Sequence, residues 1–150
     1  RLVSVGIDLM ATISDITGLE TPEGPYFGKS VLPFVLDANS QASTHEYVVT
    51  EAEVRVSPNE TYHGRALRTP EYKYHLWSQG ENREQLFDMV NDPGETRNLA
   101  DLPEYAEQLK IHRALFAEWL EKTDDTYWDL HVTTKDDRET QISGRETQVW

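Results

Sequence analysis

The residues with the strongest claim to chemistry lie between positions 51 and 65. His63 precedes Gly64-Arg65 at the end of a polar stretch, with Arg55 and Glu51 upstream. An imidazole exchanges protons near neutral pH. A guanidinium can grip a planar anion through two parallel hydrogen bonds. Loops bearing such residues can reach a neighbouring pocket. His63, at the end of that stretch, is the residue to follow, set against the commoner fate of charged loop residues, which is plain solvation.

Other chemistry-bearing residues point to less. His45, His63, His75, His112 and His131 show no close ligand spacing such as H-x-x-x-H. Asp124-Asp125 and Asp136-Asp137 are paired carboxylates, but a hard cation needs about six converging oxygens and each pair supplies only two side chains. Cysteine is absent, which excludes disulfides and any cysteine-derived nucleophile. Asn59-Glu60-Thr61 fits the N-x-[ST] pattern, a match short enough to arise by coincidence.

The 150 residues suit one domain, or one domain plus an arm. A net charge of −13 repels nucleic acid and anionic membrane and favours solubility. No apolar run approaches the roughly 18 residues of a membrane span, and no signal peptide is visible. Residue 1 is Arg rather than Met, which fits a fragment or a processed chain.

Several elements must position these residues. Val3, Ile7, Met10 and Ile13 recur at helical spacing, so residues 3–17 read as a helix, with Ser4 to cap it and Gly18 to end it. A Gly- and Pro-rich connection follows over 18–33, then a short apolar turn from Val31 to Leu36 and a small, polar, exposed linker over 37–45. Tyr47 to Thr50 reads as a strand and 55–64 as a loop. Arg65 to Thr69 and Tyr72 to Trp77 form a hairpin around Pro70-Glu71, and Gln85 to Asp88 is a fourth strand. Asp92-Pro93-Gly94-Glu95 is a tight turn in which Gly94 can supply φ > 0. Asp101 and Glu104 have capping-box spacing ahead of a helix over 102–122, whose stripe is Tyr105, Leu109, His112, Phe116 and Trp119. From Asp129 on, the chain is a polar arm in which Arg138-Glu139-Thr140-Gln141 recurs as Arg145-Glu146-Thr147-Gln148.

Four segments carry a resemblance over residues 3–128. Leu86-Phe87-Asp88 through Asp92-Pro93-Gly94-Glu95 to Asn98-Leu99-Ala100 resembles the L-[YF]-D-x-x-x-D-P-x-E-x-x-N-L-A segment near the C-terminus of the sulfatase family, within the alkaline-phosphatase-like superfamily. Val3-Ser4, then Asp8-Leu9 and Thr12, resemble its V-S-x-x-D-L-x-P-T helix, with Ala11 where that pattern usually has Pro. Gly18-Leu19 to Pro22, and Gly28-Lys29-Ser30-Val31-Leu32-Pro33, resemble its connection. Arg65-Ala66-Leu67-Arg68-Thr69 to Tyr72-Lys73-Tyr74 resembles its R-A-[VL]-R-T-x-x-Y-K-Y hairpin.

The resemblance implies an α+β fold: a short antiparallel sheet packed by one long C-terminal helix, preceded by a helix and connection from a larger α/β domain. The division it implies is 1–36 as the end of that domain, 37–45 as linker, 46–128 as C-terminal subdomain and 129–150 as polar tail. The family hydrolyses sulfate esters or sulfamates with a formylglycine and a divalent cation, usually calcium. Its nucleophile arises from the Cys or Ser of a [CS]-x-P-x-R segment, and Ser57-Pro58-Asn59 lacks both the spacing and the Arg. The chain is thus expected to lack the nucleophile and metal site and to be inactive alone. Its partners would be a missing N-terminal catalytic domain and a sulfated small molecule or sugar. Glu51, Arg55, His63 and Arg65 would border the substrate, because loops of the family's C-terminal subdomain line the cleft. A periplasmic or extracellular setting follows from the resemblance alone. Two alternatives stay open: a stand-alone binding or interaction module, and part of a phosphonate or phosphodiester hydrolase of the same superfamily.

Overall fold

The computed structural model describes residues 1–20, 27–42 and 44–125. The polar tail, His131, Asp136-Asp137 and the Pro22 to Pro25 part of the connection lie outside the described residues. The chain divides into two compact units, Arg1–Val48 and Val49 onward.

In the first unit, helix α1 spans Val5–Thr17 and helix α2 spans Leu32–Leu36. The short apolar turn is thus one turn of helix, begun by Val31 with Pro33 near its start, where a missing N–H costs nothing. Gly18 ends α1 at φ 70°, a left-handed conformation that favours Gly. The Ser4 hydroxyl makes no cap. Instead the carboxylate of Asp8 reaches back to the Ser4 backbone N–H at 2.7 Å. Asp8 and Thr12 are the buried residues of α1, while Val5, Leu9, Met10 and Ile16 are exposed. This inverts the usual pattern of an amphipathic helix.

The second unit holds a four-stranded sheet in the order β1-β2-β3-β4: Val48–Ser57, Glu60–Arg68, Tyr72–Trp77 and Glu84–Asp88. Strands β2 and β3 pair antiparallel, as do β3 and β4. The stretch read as a loop, 55–64, is instead the meeting of β1 and β2 around Pro58-Asn59. Ala52, Val54 and Val56 alternate with Glu51, Glu53 and Arg55, the period of a strand; Pro58 obscures it in the sequence because proline normally ends one.

A 3₁₀ turn at Pro103–Tyr105 leads into helix α3, Ala106–Thr123. Leu102 and Tyr105 hold the cap positions of the 3₁₀ turn and of α3, one residue and four residues beyond Asp101, and neither makes a side-chain cap. Pro103, at the start of the 3₁₀ turn, has no N–H to be capped. Leu109, His112, Phe116 and Leu120 are the buried stripe of α3. Leu67, Tyr74, Leu76, Leu86, Phe87 and Leu99 complete the apolar core of this unit.

Register assigns the two sheet faces. Leu67, Tyr74 and Leu86 stand opposite one another on the face toward α3, where Tyr74 meets Phe116 edge-on at 5.9 Å. Arg68, Lys73 and Phe87 line the other face, followed by Ala66, His75 and Gln85, then Gly64 and Trp77.

Candidate functional site

Strand alternation puts Glu51 and Arg55 on one face of β1, and His63 and Arg65 on one face of β2. An ion pair of 3.4 Å between Arg65 and Glu51 shows that the two faces lie on one side of the sheet. Arg65 stands opposite Leu76, so this is the side toward α3.

Arg65 is the best-held member. Its Nε donates to Asp125 Oδ2 at 2.8 Å and one terminal nitrogen to Oδ1 at 3.2 Å, a two-pronged grip on a carboxylate. Its other terminal nitrogen donates to the Gly64 carbonyl. Both side chains of the Arg65–Asp125 pair are nearly buried, whereas Glu51 is 62% exposed. Arg65 therefore brackets β1, β2 and the end of α3, and an incoming anion would have to share it with Glu51.

The chain places Asp125 by ending α3 at Asp124 in the left-handed conformation, φ 52°. The Asp125 N–H then caps the Leu120 carbonyl. The carboxylate partner of Arg65 was hidden in the sequence, where Asp124-Asp125 reads only as a possible cation pair. Its signal was positional, two residues beyond the last helical turn.

Arg55 donates to the Pro58 carbonyl at 3.1 Å and is exposed. His63 is half-buried, and its backbone N–H and carbonyl both bond Ser78. All four candidates thus share one side of the sheet. Arg65 contacts Glu51, while Arg55 bonds the Pro58 carbonyl and the His63 backbone bonds Ser78.

His112 and His45 are built into the fold. His112 is buried, with Nδ1 donating to the Gln108 carbonyl at 2.7 Å and Nε2 lying 3.3 Å from the Thr69 hydroxyl. Burial lowers its pKa, against a smaller upward pull from the Gln108 carbonyl. His45 departs from the exposed-linker picture of 37–45, since its side chain is buried 2.6 Å from Asp8. The same Asp8 oxygen accepts the Lys29 N–H at 2.8 Å. Burial pushes the Asp8 carboxyl up, but the Lys29 and Ser4 N–H groups and His45 outweigh it and hold it below 3.8. Thr12 continues the clasp: its hydroxyl donates to the Asp8 carbonyl and accepts the Val31 N–H. A side chain at Gly28 would strike the Ile7 carbonyl, so the connection can lie against α1 only as glycine.

The Asp-Pro-Gly-Glu segment is likewise structural. Glu95 takes the left-handed conformation at φ 56°, not Gly94. The Asp92 carboxylate gathers the Thr96 and Arg97 N–H groups, which fixes the turn. Glu95 then meets Lys73 at 2.7 Å. Asn98 accepts the Leu86 N–H and donates to the Glu84 carbonyl, closing the free edge of β4.

Among the described residues, no three His, Cys, Asp or Glu side chains converge as a metal site. Asp125 is engaged by Arg65. These residues do not fit a catalytic cation, and with no Cys and no [CS]-x-P-x-R segment they do not fit a formylglycine either.

Comparison with known proteins gives concordant results. The family model described as "N-sulphoglucosamine sulphohydrolase, C-terminal" matches residues 2–140. A Bacteroides thetaiotaomicron "Delta 4,5-hexuronate-2-O-sulfatase" is 38% identical over 126 residues, covering 84% of this chain and 25% of the relative. A solved structure described as "a 2-O GAG sulfatase" is 37% identical, with a TM-score of 0.72, covering 85% of this chain and 27% of the other. A second structure, of a protein in complex with its substrate D-glucosamine-2-N,6-O-disulfate, is 21% identical with a TM-score of 0.66 over 78% of this chain and 24% of that one, and bears on the fold alone. The chain spans about a quarter of the length of the relatives it matches.

Proposed function

From the premise that this chain belongs to the C-terminal family of N-sulphoglucosamine sulphohydrolases, we propose that it forms the non-catalytic, substrate-bordering end of a sulfatase. The reaction is hydrolysis of a sulfate ester or sulfamate on a sulfated sugar. The catalytic residues, including the formylglycine and the calcium ligands, belong to a domain that precedes residue 1. The observation that carries this reading is the family match over 2–140, which spans both units of the structure.

Within that reading, Glu51, Arg55, His63 and Arg65 border the saccharide. Arg55, exposed at the hairpin end, offers guanidinium donors to a sulfate or a uronate carboxylate. His63 lies on the same side of the sheet, and Arg65 and Glu51 hold that side in place. The chemistry matches the anionic sugars named for the relatives.

The test begins with the open reading frame upstream of Arg1, which must encode a [CS]-x-P-x-R segment. The full product is then assayed for sulfate release from a 2-O-sulfated unsaturated uronate and from N-sulfated glucosamine. Chelator-sensitive release is expected. Arg55→Ala should raise KM about tenfold or more while leaving kcat near its original value, the cost of one charged hydrogen bond made equally in the ground and transition states. A folded full product inactive on both sugars overturns the sulfatase reading, and an unchanged KM removes Arg55 from the substrate border.

A further inference from the structure

We propose that the outer edge of β1 is closed by the chain's own tail, residues 130–135 adding to the sheet as a fifth strand. This goes beyond the sulfatase reading and holds whatever the full product hydrolyses. The sheet has two edges, and Asn98 closes the one at β4. β1 stands at the other, and among the described residues no strand pairs with its outer side. It is the longest of the four, ten residues from Val48 to Ser57, and it holds neither Pro nor Lys. Those residues are common means of keeping an edge from pairing; without them, its outward N–H and C=O groups are a template for another strand.

Two observations name the occupant. The first is where the tail sets out. Asp125, the last of the described residues, is gripped by Arg65, and the same Arg65 is paired with Glu51 of β1. The tail therefore begins within one side chain's reach of the edge strand. Neighbouring strands lie about 4.8 Å apart. The five residues from Asp125 to Leu130 can span roughly 17 Å when extended, enough to cross β1 and reach its outer side.

The second is a match of both faces. Toward α3, β1 presents Glu51, Glu53 and Arg55; on its other side stand Ala52, Val54 and Val56, with Val54 45% and Val56 49% exposed. In the sequence, Leu130, Val132 and Thr134 alternate with His131, Thr133 and Lys135, the period of a strand, with three β-branched residues in the middle. Laid beside β1, the segment sets Leu130 and Val132 along the exposed valines and His131 and Lys135 on the side of the two glutamates. A slip by one residue would reverse both matches, so the pairing is specified by pattern. A segment tethered this closely also has a higher effective concentration at the edge than a second copy of the chain.

Hydrogen exchange read by mass spectrometry on the product of the full open reading frame tests this. The proteins compared are wild type, a chain ending at Trp128, Val132→Pro and Val149→Pro. About half the amides of 49–57, those pointing outward, should exchange about tenfold faster or more in the first two variants. Val149→Pro should match wild type, and the amides of 84–88 on β4 should be unchanged throughout. Equal exchange over 49–57 in wild type and Val132→Pro overturns the proposal: slow in both, the edge has another cover; fast in both, it has none. Exchange that slows with protein concentration assigns the edge to a second copy and overturns it too. An effect of Val149→Pro as large as that of Val132→Pro overturns the assignment to 130–135. Lys135→Glu keeps every backbone donor, so it should speed the same amides by less than Val132→Pro does; the reverse order overturns pairing through the backbone.

Discussion

Glu84 shows how the α+β unit keeps a charge inside. Its carboxylate is almost fully buried, yet one oxygen accepts the Tyr74 hydroxyl at 2.8 Å and the Arg113 Nε at 2.6 Å, while the other meets a second Arg113 nitrogen. Breaking a buried pair leaves an uncompensated charge, typically at a cost of 3–5 kcal/mol. Arg113 is about one-third exposed, so water can take up part of its charge. Glu84→Ala should therefore destabilise by only about 2 kcal/mol in urea melts. A loss under ~0.5 kcal/mol would show that the carboxylate contributes nothing beyond its own desolvation. His112 gives the pH counterpart. Its pKa is lowered in the fold, so below about pH 6.5 the unfolded chain binds the proton more readily than the native state. Stability should be full above that value and fall as pH drops from it toward the folded pKa. In His112→Leu the fall over the same range should be shallower; an unchanged slope would assign the acid sensitivity to other groups. The four candidate residues were legible one by one, from residue type and neighbourhood. Their sharing one sheet side was not, because it depends on 55–64 being strand and on where α3 ends.

Elements with an unbroken period were readable, and those interrupted by one residue were not. The hairpin around Pro70-Glu71, the fourth strand and both long helices stand where alternation and helical spacing put them. The β1–β2 turn was lost to Pro58, a residue that normally ends a strand. The helical stripe was right in direction and off at its end. Phe116 is fully buried, whereas Trp119 is half-buried and stacks on Phe116 at 6.1 Å. A helix stripe turns gradually around its axis, so the fifth position drifted from the core and Leu120 took it. Phe116→Ala should thus cost about 3–5 kcal/mol and Trp119→Ala about 1 kcal/mol by chemical denaturation. Equal costs would mean that Trp119 is sealed from water. The clasp of Asp8, Thr12, Lys29 and His45 was legible only as a motif: the Asp and Thr of the family helix stand in the sequence, but their partners lie 19 to 37 residues away.

At the scale of the whole molecule, the question is what a chain spanning about a quarter of its relatives' length does when alone. Alone, the 150-residue chain should release no chelator-sensitive sulfate from aryl sulfates or sulfated sugars, because its described residues assemble neither nucleophile nor cation site. Release above a heat-killed control would overturn that assignment. Its physical state is the sharper matter. In α1 the buried positions are Asp8 and Thr12, and the exposed ones include Val5 at 77%, Ile16 at 61% and Leu9 at 54%. Val35 and Leu36 on α2 are 74% and 78% exposed. A helix that turns its apolar side to water is at home in a larger core, and soluble monomers seldom carry large patches of this kind. The excess charge of −13 opposes aggregation but acts over only about a Debye length, roughly 8 Å at physiological salt. Contact between apolar helices is short-ranged too, and salt weakens the repulsion without weakening the attraction. The isolated chain should therefore self-associate, more strongly at 0.5 M than at 0.05 M salt, and a chain beginning at Val49 should scatter light as a monomer at matched concentration. A monodisperse 150-residue monomer whose stability drops sharply when 1–48 are removed would show that α1 serves the core of this chain and not a domain before it.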